Sequence, residues 1–331
     1  MSTQSSIGPI RPPTEAYSLL IRTTINCPWN RCEFCSVFKG QRFQLRPVEE
    51  VKEDIRAVKE LAAAIQAQAA QTGESPAVIA RFNGILWLED DGVKSVFLQD
   101  SDSMIMKTDP LVEILKFLHE TFPTLERVTT YARGKTVYRK TPEELRRLRE
   151  AGLTRLHIGL ETGDDELLAY IQKGATAEQM AQAGRNAVEA GFEVSEYIMP
   201  GLGGREKWEQ HARTSARVLN QINPRFIRLR TFHPIPGTPM YEKAEQGEYH
   251  LQSIEGVLGE IRSFIEDLDV TSELVTSDYA PNYFMQGVDG RLPGDKENLL
   301  KSVDDAIAYW CARGEPKRNP FMRGLYRPNR E

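Results

Sequence analysis

The chain has 331 residues, enough for one large domain or two of ordinary size. Forty per cent of the residues are hydrophobic and 27% charged, the balance of a globular chain with a full core rather than of a disordered or fibrous one. With 42 Lys and Arg against 47 Asp and Glu the formal charge is −5, which disfavours a nucleic-acid partner, because phosphate backbones attract basic faces. There is no apolar run of 18 or more residues, so a membrane span is not expected. Residues 1–6 lack the basic-then-apolar pattern of a signal peptide, and a cytoplasmic protein is expected.

Residues 1–16, with Pro9, Pro12 and Pro13, read as a loose arm. Tyr17–Ile25 is rich in β-branched and aliphatic residues and reads as a strand. Residues 48–69 carry Val48, Val51, Ile55, Val58, Leu61, Ile65 and Ala69 at helical spacing, behind a Pro47 suited to a helix start. Residues 72–92 interrupt the pattern, and Phe82, Ile85, Leu86 and Trp87 imply that part of this insertion packs. Strands are then predicted at 93–100, 127–131, 154–160, 192–199 and 226–230. Helices fall between them at 111–118, 142–151, 164–171, 176–190 and 206–222. Thr141-Pro142-Glu143-Glu144 is a cap, a first-turn proline and two acids, and Gly152 and Gly191 are helix stops.

Six strands alternating with helices are βαβ units, hence an α/β fold with a parallel sheet. Periodicity does not choose between a partial barrel and an open Rossmann-like sheet. Beyond residue 235 the regularity ends: 253–268 and 297–312 read as helices and 271–295 as a structured loop. From Arg313 the chain turns basic, with Lys317, Arg318, Arg323, Arg327 and Arg330.

The chemistry concentrates in Cys27-Pro28-Trp29-Asn30-Arg31-Cys32-Glu33-Phe34-Cys35, a C-x4-C-x2-C spacing. Thiolates suit soft metals, and this spacing lets one loop wrap one centre. A structural zinc site or a plain electron-transfer cluster wants four ligands, yet the first histidine is His119 and the fourth cysteine is Cys311, read as a buried thiol. Three thiolates on a cubane leave one iron open, as a catalytic metal requires. The plainer readings are a three-cysteine zinc site completed by a distant His, or unligated thiols.

Cys27, Cys32, Phe34 and Cys35, following a first strand, resemble the signature of the radical S-adenosylmethionine (SAM) superfamily, usually C-x3-C-x-aromatic-C, with one residue more between the first two cysteines. The resemblance covers residues 17–245 and implies a TIM-barrel-like partial (β/α)6 barrel, with 246–331 as a C-terminal helical and loop extension and candidate substrate lid. It implies a [4Fe-4S] cluster on Cys27, Cys32 and Cys35. SAM chelates the open iron, and one electron from an external donor such as flavodoxin or ferredoxin splits it to a 5′-deoxyadenosyl radical. That radical abstracts hydrogen from a substrate, here expected to be a small or medium organic molecule.

Around SAM the resemblance places Phe34 near the adenine and Asp100-Ser101-Asp102 at the ammonium. It places Glu161, in Gly159-Leu160-Glu161-Thr162-Gly163, at the ribose, and Gly201 where the backbone nears the adenine. Each has a plainer reading as a turn or cap. Arg133 could pair with the SAM carboxylate. The Arg228-to-Pro239 segment resembles the "PGTP" ending of the coproporphyrinogen and tRNA-modifying branch, so Arg228, Arg230 and His233 are candidate substrate contacts, and Asn282 is added by position. One spare cysteine cannot hold a second cubane, and no cobalamin-binding domain is expected in the 26 residues before Cys27. Modification of tRNA is the alternative within the family. A non-catalytic iron–sulfur or zinc protein is the alternative outside it.

Overall fold

The computed structural model describes residues 10–284 and 288–314. The chain divides into two compact units. The first comprises the chain up to Asn30, Val37–Ile158 and Asn186–Glu193; the second comprises Arg31–Ser36, Gly159–Arg185 and the chain from Val194.

The first unit starts with β1 (Leu19–Ile21) and a small antiparallel ribbon, β2 (Thr24–Ile25) against β3 (Gln44–Leu45). Then come α1 (Val48–Thr72), α2 (Pro76–Phe82) and a second ribbon, β4 (Leu88–Glu89) with β5 (Gly92–Val93). They are followed by β6 (Ser95–Leu98), α3 (Thr108–Thr121), β7 (Arg127–Ala132), α4 (Gly134–Tyr138), α5 (Pro142–Glu150) and β8 (Leu153–Glu161). β1, β6, β7 and β8 run parallel side by side, with Leu19 opposite Val96, Val96 opposite Val128 and Tyr131 opposite His157. Val96, Phe97 and Leu98 are all buried, as expected of parallel strands covered on both faces.

Helix α1 buries Val51, Ile55, Ile65 and Ala69 of the predicted stripe and Ala62 beside them; Val48 and Val58 are half-buried, and Leu61 is 44% exposed. Helix α5 opens with the predicted capping box, Thr141 and Glu144 each bonding the other's backbone. Gly152, at φ 104°, ends that turn against the His119 ring, which a side chain would strike at 2.0 Å. The insertion packs through Ala77, Ile79, Ala80 and Leu88, while Phe82 is 87% exposed. The arm is not loose where it is described: Pro13–Glu15 forms a 3-10 turn that buries Glu15 beside His157, with Ser18 Oγ donating at 2.6 Å and Arg127 at 3.4 Å. Burial opposes ionisation there, but His157, Ser18 and Arg127 together hold the Glu15 carboxyl down at about 2.

The second unit carries α6 (Asp165–Tyr170), most of α7 (Ala177–Glu189), β9 (Glu193–Ile198), α8 (Gly204–Ile222), β10 (Phe226–Leu229), α9 (Pro239–Glu245) and α10 (Ile254–Asp267). β11 (Glu273–Val275), β12 (Gly290–Arg291) and α11 (Lys296–Arg313) complete it. β9, β10 and β11 are parallel neighbours, and β12 closes antiparallel on β11. Helix α10 packs against both α8 and α11. β11 is a seventh parallel strand in a stretch predicted to be loop, so the chain beyond residue 245 contributes to this unit's sheet. The fold is α/β as expected, with parallel strands alternating with helices in each unit. No helix among them is long and apolar enough to cross a membrane. The predicted basic tail, after Arg313, lies outside the described residues.

Candidate active site

The loop after β2 is pinned on its N-terminal side by Asn26, a left-handed residue at φ 66°. Its N–H donates to Asp100 Oδ2 at 2.7 Å, its carbonyl accepts Ser101 Oγ at 3.2 Å and its amide donates to Arg42 O at 2.8 Å. Asp100 Oδ2 also takes both Arg22 Nε (3.2 Å) and Nη2 (2.6 Å), and its Oδ1 is buried without a hydrogen-bond partner. The segment aligned with the SAM-ammonium motif therefore braces the residue before Cys27. Asp102 is fully buried, accepts from Thr136 Oγ1, and burial pushes its carboxyl up to about 6.

The extra residue between the first two cysteines is absorbed at Asn30, left-handed at φ 50°. Asn30 N–H donates to Cys27 Sγ at 3.3 Å, its amide donates to Phe38 O at 2.5 Å, and Lys39 Nζ donates to its carbonyl at 3.1 Å. An N–H aimed at the sulfur favours a ligating thiolate. Trp29 lies under the Arg133 guanidinium, 5.0 Å from its ring centroid, so Arg133 packs on the cysteine loop.

Cys32 and Cys35 sit on a tight turn, Cys35 N–H donating to Cys32 O at 3.3 Å. Glu33 between them is held on four sides. Its N–H donates to Ile171 O (2.9 Å), its carbonyl accepts Met240 N–H (3.3 Å), and its carboxylate accepts Gln172 Nε2 (2.7 Å) and Lys243 Nζ. Sequence reasoning missed Glu33, Gln172 and Lys243; an acid between two cysteines of the motif was the available signal. Phe34 packs on Leu167, Ile171, Leu202, Phe232, Met240 and Tyr249, with Lys173 Nζ 5.9 Å from its ring centroid.

Glu161, left-handed at φ 63°, accepts Lys173 Nζ at 2.7 Å. Its carboxylate folds back over Gly159, where a side chain would come within 2.1 Å of Glu161 Oε1. Glu196 on β9, also missed, is buried with Oε2 unpartnered, and burial raises its pKa well above the ordinary range. Gly201, at φ 86°, is gripped from both sides: its N–H donates to Glu260 Oε1 at 3.0 Å and its carbonyl accepts Tyr249 OH at 2.6 Å. Beneath it, His211 joins Thr162 Oγ1 (2.7 Å) to Met199 O (3.0 Å) and stands 3.4 Å from Glu260. Burial pushes His211 down to about 4 and Glu260 up to about 8, a pair neutral on both sides at pH 7.

Asp278 accepts Arg228 Nη1 at 2.5 Å and Arg230 Nη1 and Nη2 at 2.6 and 2.9 Å. His233 Nε2 lies 3.2 Å from Pro281 O, and burial lowers its pKa. Asn282, proposed from position to touch substrate, is placed differently: Oδ1 accepts Thr231 N–H (2.9 Å) and Oγ1 (3.0 Å), and Nδ2 donates to Leu229 O (2.9 Å) and Thr276 O (3.1 Å). A buried amide with both ends spent inside the protein is a latch on the end of β10. Cys311, predicted to be a buried thiol, is exposed on α11.

Among the described residues no group of three or more His, Cys, Asp and Glu side chains is placed to hold a single metal ion. One ion needs its donors in one coordination sphere, whereas a cubane takes one thiolate per iron and its ligands need not meet. Three cysteines in nine residues, one receiving a backbone N–H at sulfur, fit that second demand.

The profile of the Radical SAM superfamily matches residues 21–214. A tRNA uridine(34) acetyltransferase of Methanocaldococcus jannaschii is 27% identical over 109 residues, 32% of this chain and 20% of that protein. A biotin synthase of Desulforudis audaxviator is 34% identical over 100 residues (30% and 29%), and the heme chaperone HemW of Bacillus subtilis 22% over 160 (48% and 42%). The chain thus spans less than half the length of each of these relatives. Among solved structures, the radical SAM methyltransferase TsrM of Kitasatospora setae superposes with a TM-score of 0.49 at 21% identity, covering 69% of this chain and 39% of that one. Methylornithine synthase (PylB) gives 0.47 at 18%, covering 93% and 85%. The profile takes in more than half of the chain, including all three loop cysteines, and the chain belongs to the radical SAM superfamily, enzymes that use a [4Fe-4S] cluster and SAM.

Proposed function

We propose that this enzyme spends the radical it makes from SAM on hydrogen abstraction from a small or medium organic substrate, with electrons from an external one-electron donor in a reducing, cytoplasmic setting. The observation that carries the reading is the cysteine loop, three thiols in C-x4-C-x2-C with an aromatic residue before the last. The cluster, when bound, supplies the electron that splits the sulfonium. Cys27, Cys32 and Cys35 hold it, and the braces on Asn26 and Glu33 hold the loop. Phe34 offers a ring face to the adenine, Glu161 a carboxylate to the ribose and Gly201 a close backbone approach. Asp102 and Arg133 stand for the amino-acid end of SAM, with Asp100 and Ser101 acting through Asn26. Arg228, Arg230 and His233 take the substrate.

The test is anaerobic. The protein is reconstituted with iron and sulfide, reduced, given SAM and assayed for 5′-deoxyadenosine, beside Cys32→Ala. Nucleoside from the wild type and not from the variant is expected. A stable cluster that neither binds nor cleaves SAM sinks the reading and leaves a non-catalytic iron–sulfur protein.

A further inference from the structure

The turn that carries Cys32 and Cys35 spends its backbone donors on carbonyl oxygens: Glu33 N–H donates to Ile171 O at 2.9 Å and Cys35 N–H to Cys32 O at 3.3 Å. Between the two cysteines stands a carboxylate, and only 11% of the Glu33 side chain is exposed. Hydrogen bonds to sulfur and net nearby charge set how readily an iron–sulfur cluster takes an electron. A mostly buried carboxylate beside two of the ligands opposes that gain of negative charge, and burial limits how far water and salt screen it. Uncompensated, Glu33 works against the reduction with which the reaction begins.

The same carboxylate meets the Lys243 ammonium, which arrives from α9, 210 residues downstream. Gln172 Nε2 donates to the other oxygen at 2.7 Å and brings no charge; Lys243 brings one. Lys243 is also held against an aromatic face, its Nζ 4.0 Å from the Tyr170 ring centroid, and its side chain is 24% exposed. Helix α9 is anchored where it delivers this charge. Thr238 Oγ1 accepts the N–H of Tyr241 at 3.3 Å, Met240 is buried, and Met240 N–H donates to Glu33 O at 3.3 Å. Cys32, Glu33, Cys35, Tyr170, Met240 and Lys243 all lie in one compact unit, so the charge is fixed relative to the turn.

We propose that Lys243 tunes the redox potential of the cluster: its ammonium offsets the Glu33 carboxylate beside Cys32 and Cys35 and keeps the potential within reach of the external one-electron donor. The donor loses the one electron that the cluster gains, and no bond is made or broken. Lys243 touches neither SAM nor substrate in this role and acts through charge held at Glu33. The proposal rests on the reading that Cys27, Cys32 and Cys35 hold the cluster.

The test is a redox titration of the full-length, reconstituted protein without SAM or substrate. Iron per chain is counted first; the protein is then poised anaerobically with titanium(III) citrate and viologen dyes, and the reduced cluster is read by electron paramagnetic resonance. At the wild-type midpoint, Lys243→Met should lower the ratio of reduced to oxidised cluster by at least about threefold, and Glu33→Gln should raise it by a similar factor. Lys243→Arg keeps the charge and should stay within about twofold of the wild type, as should the double variant Glu33→Gln/Lys243→Met, which lacks both charges. Loosening of the turn acts in one direction whichever partner is changed, so shifts of opposite sign mark charge rather than packing. Shifts of the same sign, no shift in either single variant, an Arg variant as displaced as the Met variant, or loss of iron from either single variant would each overturn the proposal. A wild type that takes up no iron would overturn it together with the reading of the loop cysteines. No step of the titration involves SAM, so the nucleoside assay succeeds or fails separately.

Discussion

Replacing Glu260 by Gln should abolish much of a pH dependence that the wild type carries. Burial lifts the folded carboxyl from 4.5 to about 8, so between those values the folded state holds a proton that the unfolded state has lost. Stability on this account falls as pH rises, by about 1.4 kcal/mol per unit. His211 acts with the opposite sign: its folded pKa is depressed from 6.5 to about 4, so its contribution is complete above 6.5 and lost only as pH falls below that. From pH 6.5 to 8 the Glu260 effect stands uncompensated by His211 and amounts to about 2 kcal/mol. Glu196, whose pKa burial also raises, adds in the same direction but equally in both proteins. Gln keeps the acceptor for Gly201 N–H and needs only a reversed Gln252 amide as its other partner. Urea denaturation at pH 6.5 and 8.0 should show the wild type losing about 2 kcal/mol more than Glu260→Gln over the interval. Equal losses in the two proteins would refute a protonated Glu260 in the fold.

Asn282→Ala strips partners from Thr231 N–H, Leu229 O and Thr276 O and should cost about 3–5 kcal/mol, read as a lower urea midpoint; an unchanged midpoint would mean that solvent already serves those groups. Asp100→Asn preserves the left-handed backbone, which Asn tolerates, but leaves Arg22 without its counter-charge; a loss of about 3 kcal/mol is expected, and none at all would show the pair to be hydrated. Cys311→Ser, on the exposed side of α11, should leave iron per chain after reconstitution unchanged, and a drop would make Cys311 a ligand.

What could be read from the chain was whatever repeats or punctuates. The alternation of strands and helices through residue 229 and the capping box at Thr141 follow from periodicity and turn chemistry, and both are found. β11 was missed because Glu273-Leu274-Val275 is too short to show a period; its pairing with β10 defines it. The same limit hid the site's supports. Glu33 meets Lys243, and Gly201 meets Glu260, across separations that local pattern does not encode. Asn282 was chosen from its position alone, and position does not show that its amide is consumed by the backbone of neighbouring elements. Phe82 likewise suggested a core residue and is exposed.

The clasp on Glu33 also bears on when this protein can be finished. Its carboxylate is closed by a lysine 210 residues downstream, and its carbonyl by Met240. On a ribosome moving at about 5–20 residues per second, that interval lasts roughly 10–40 s, during which Cys32 and Cys35 are already outside and their loop has no clasp. Metal delivered in that window meets a floppy dithiol, open to oxidation or to the wrong ion. Metal delivered after Lys243 emerges meets a turn of defined shape. The distance along the chain thus sets the earliest moment at which the clasped form of this turn can exist.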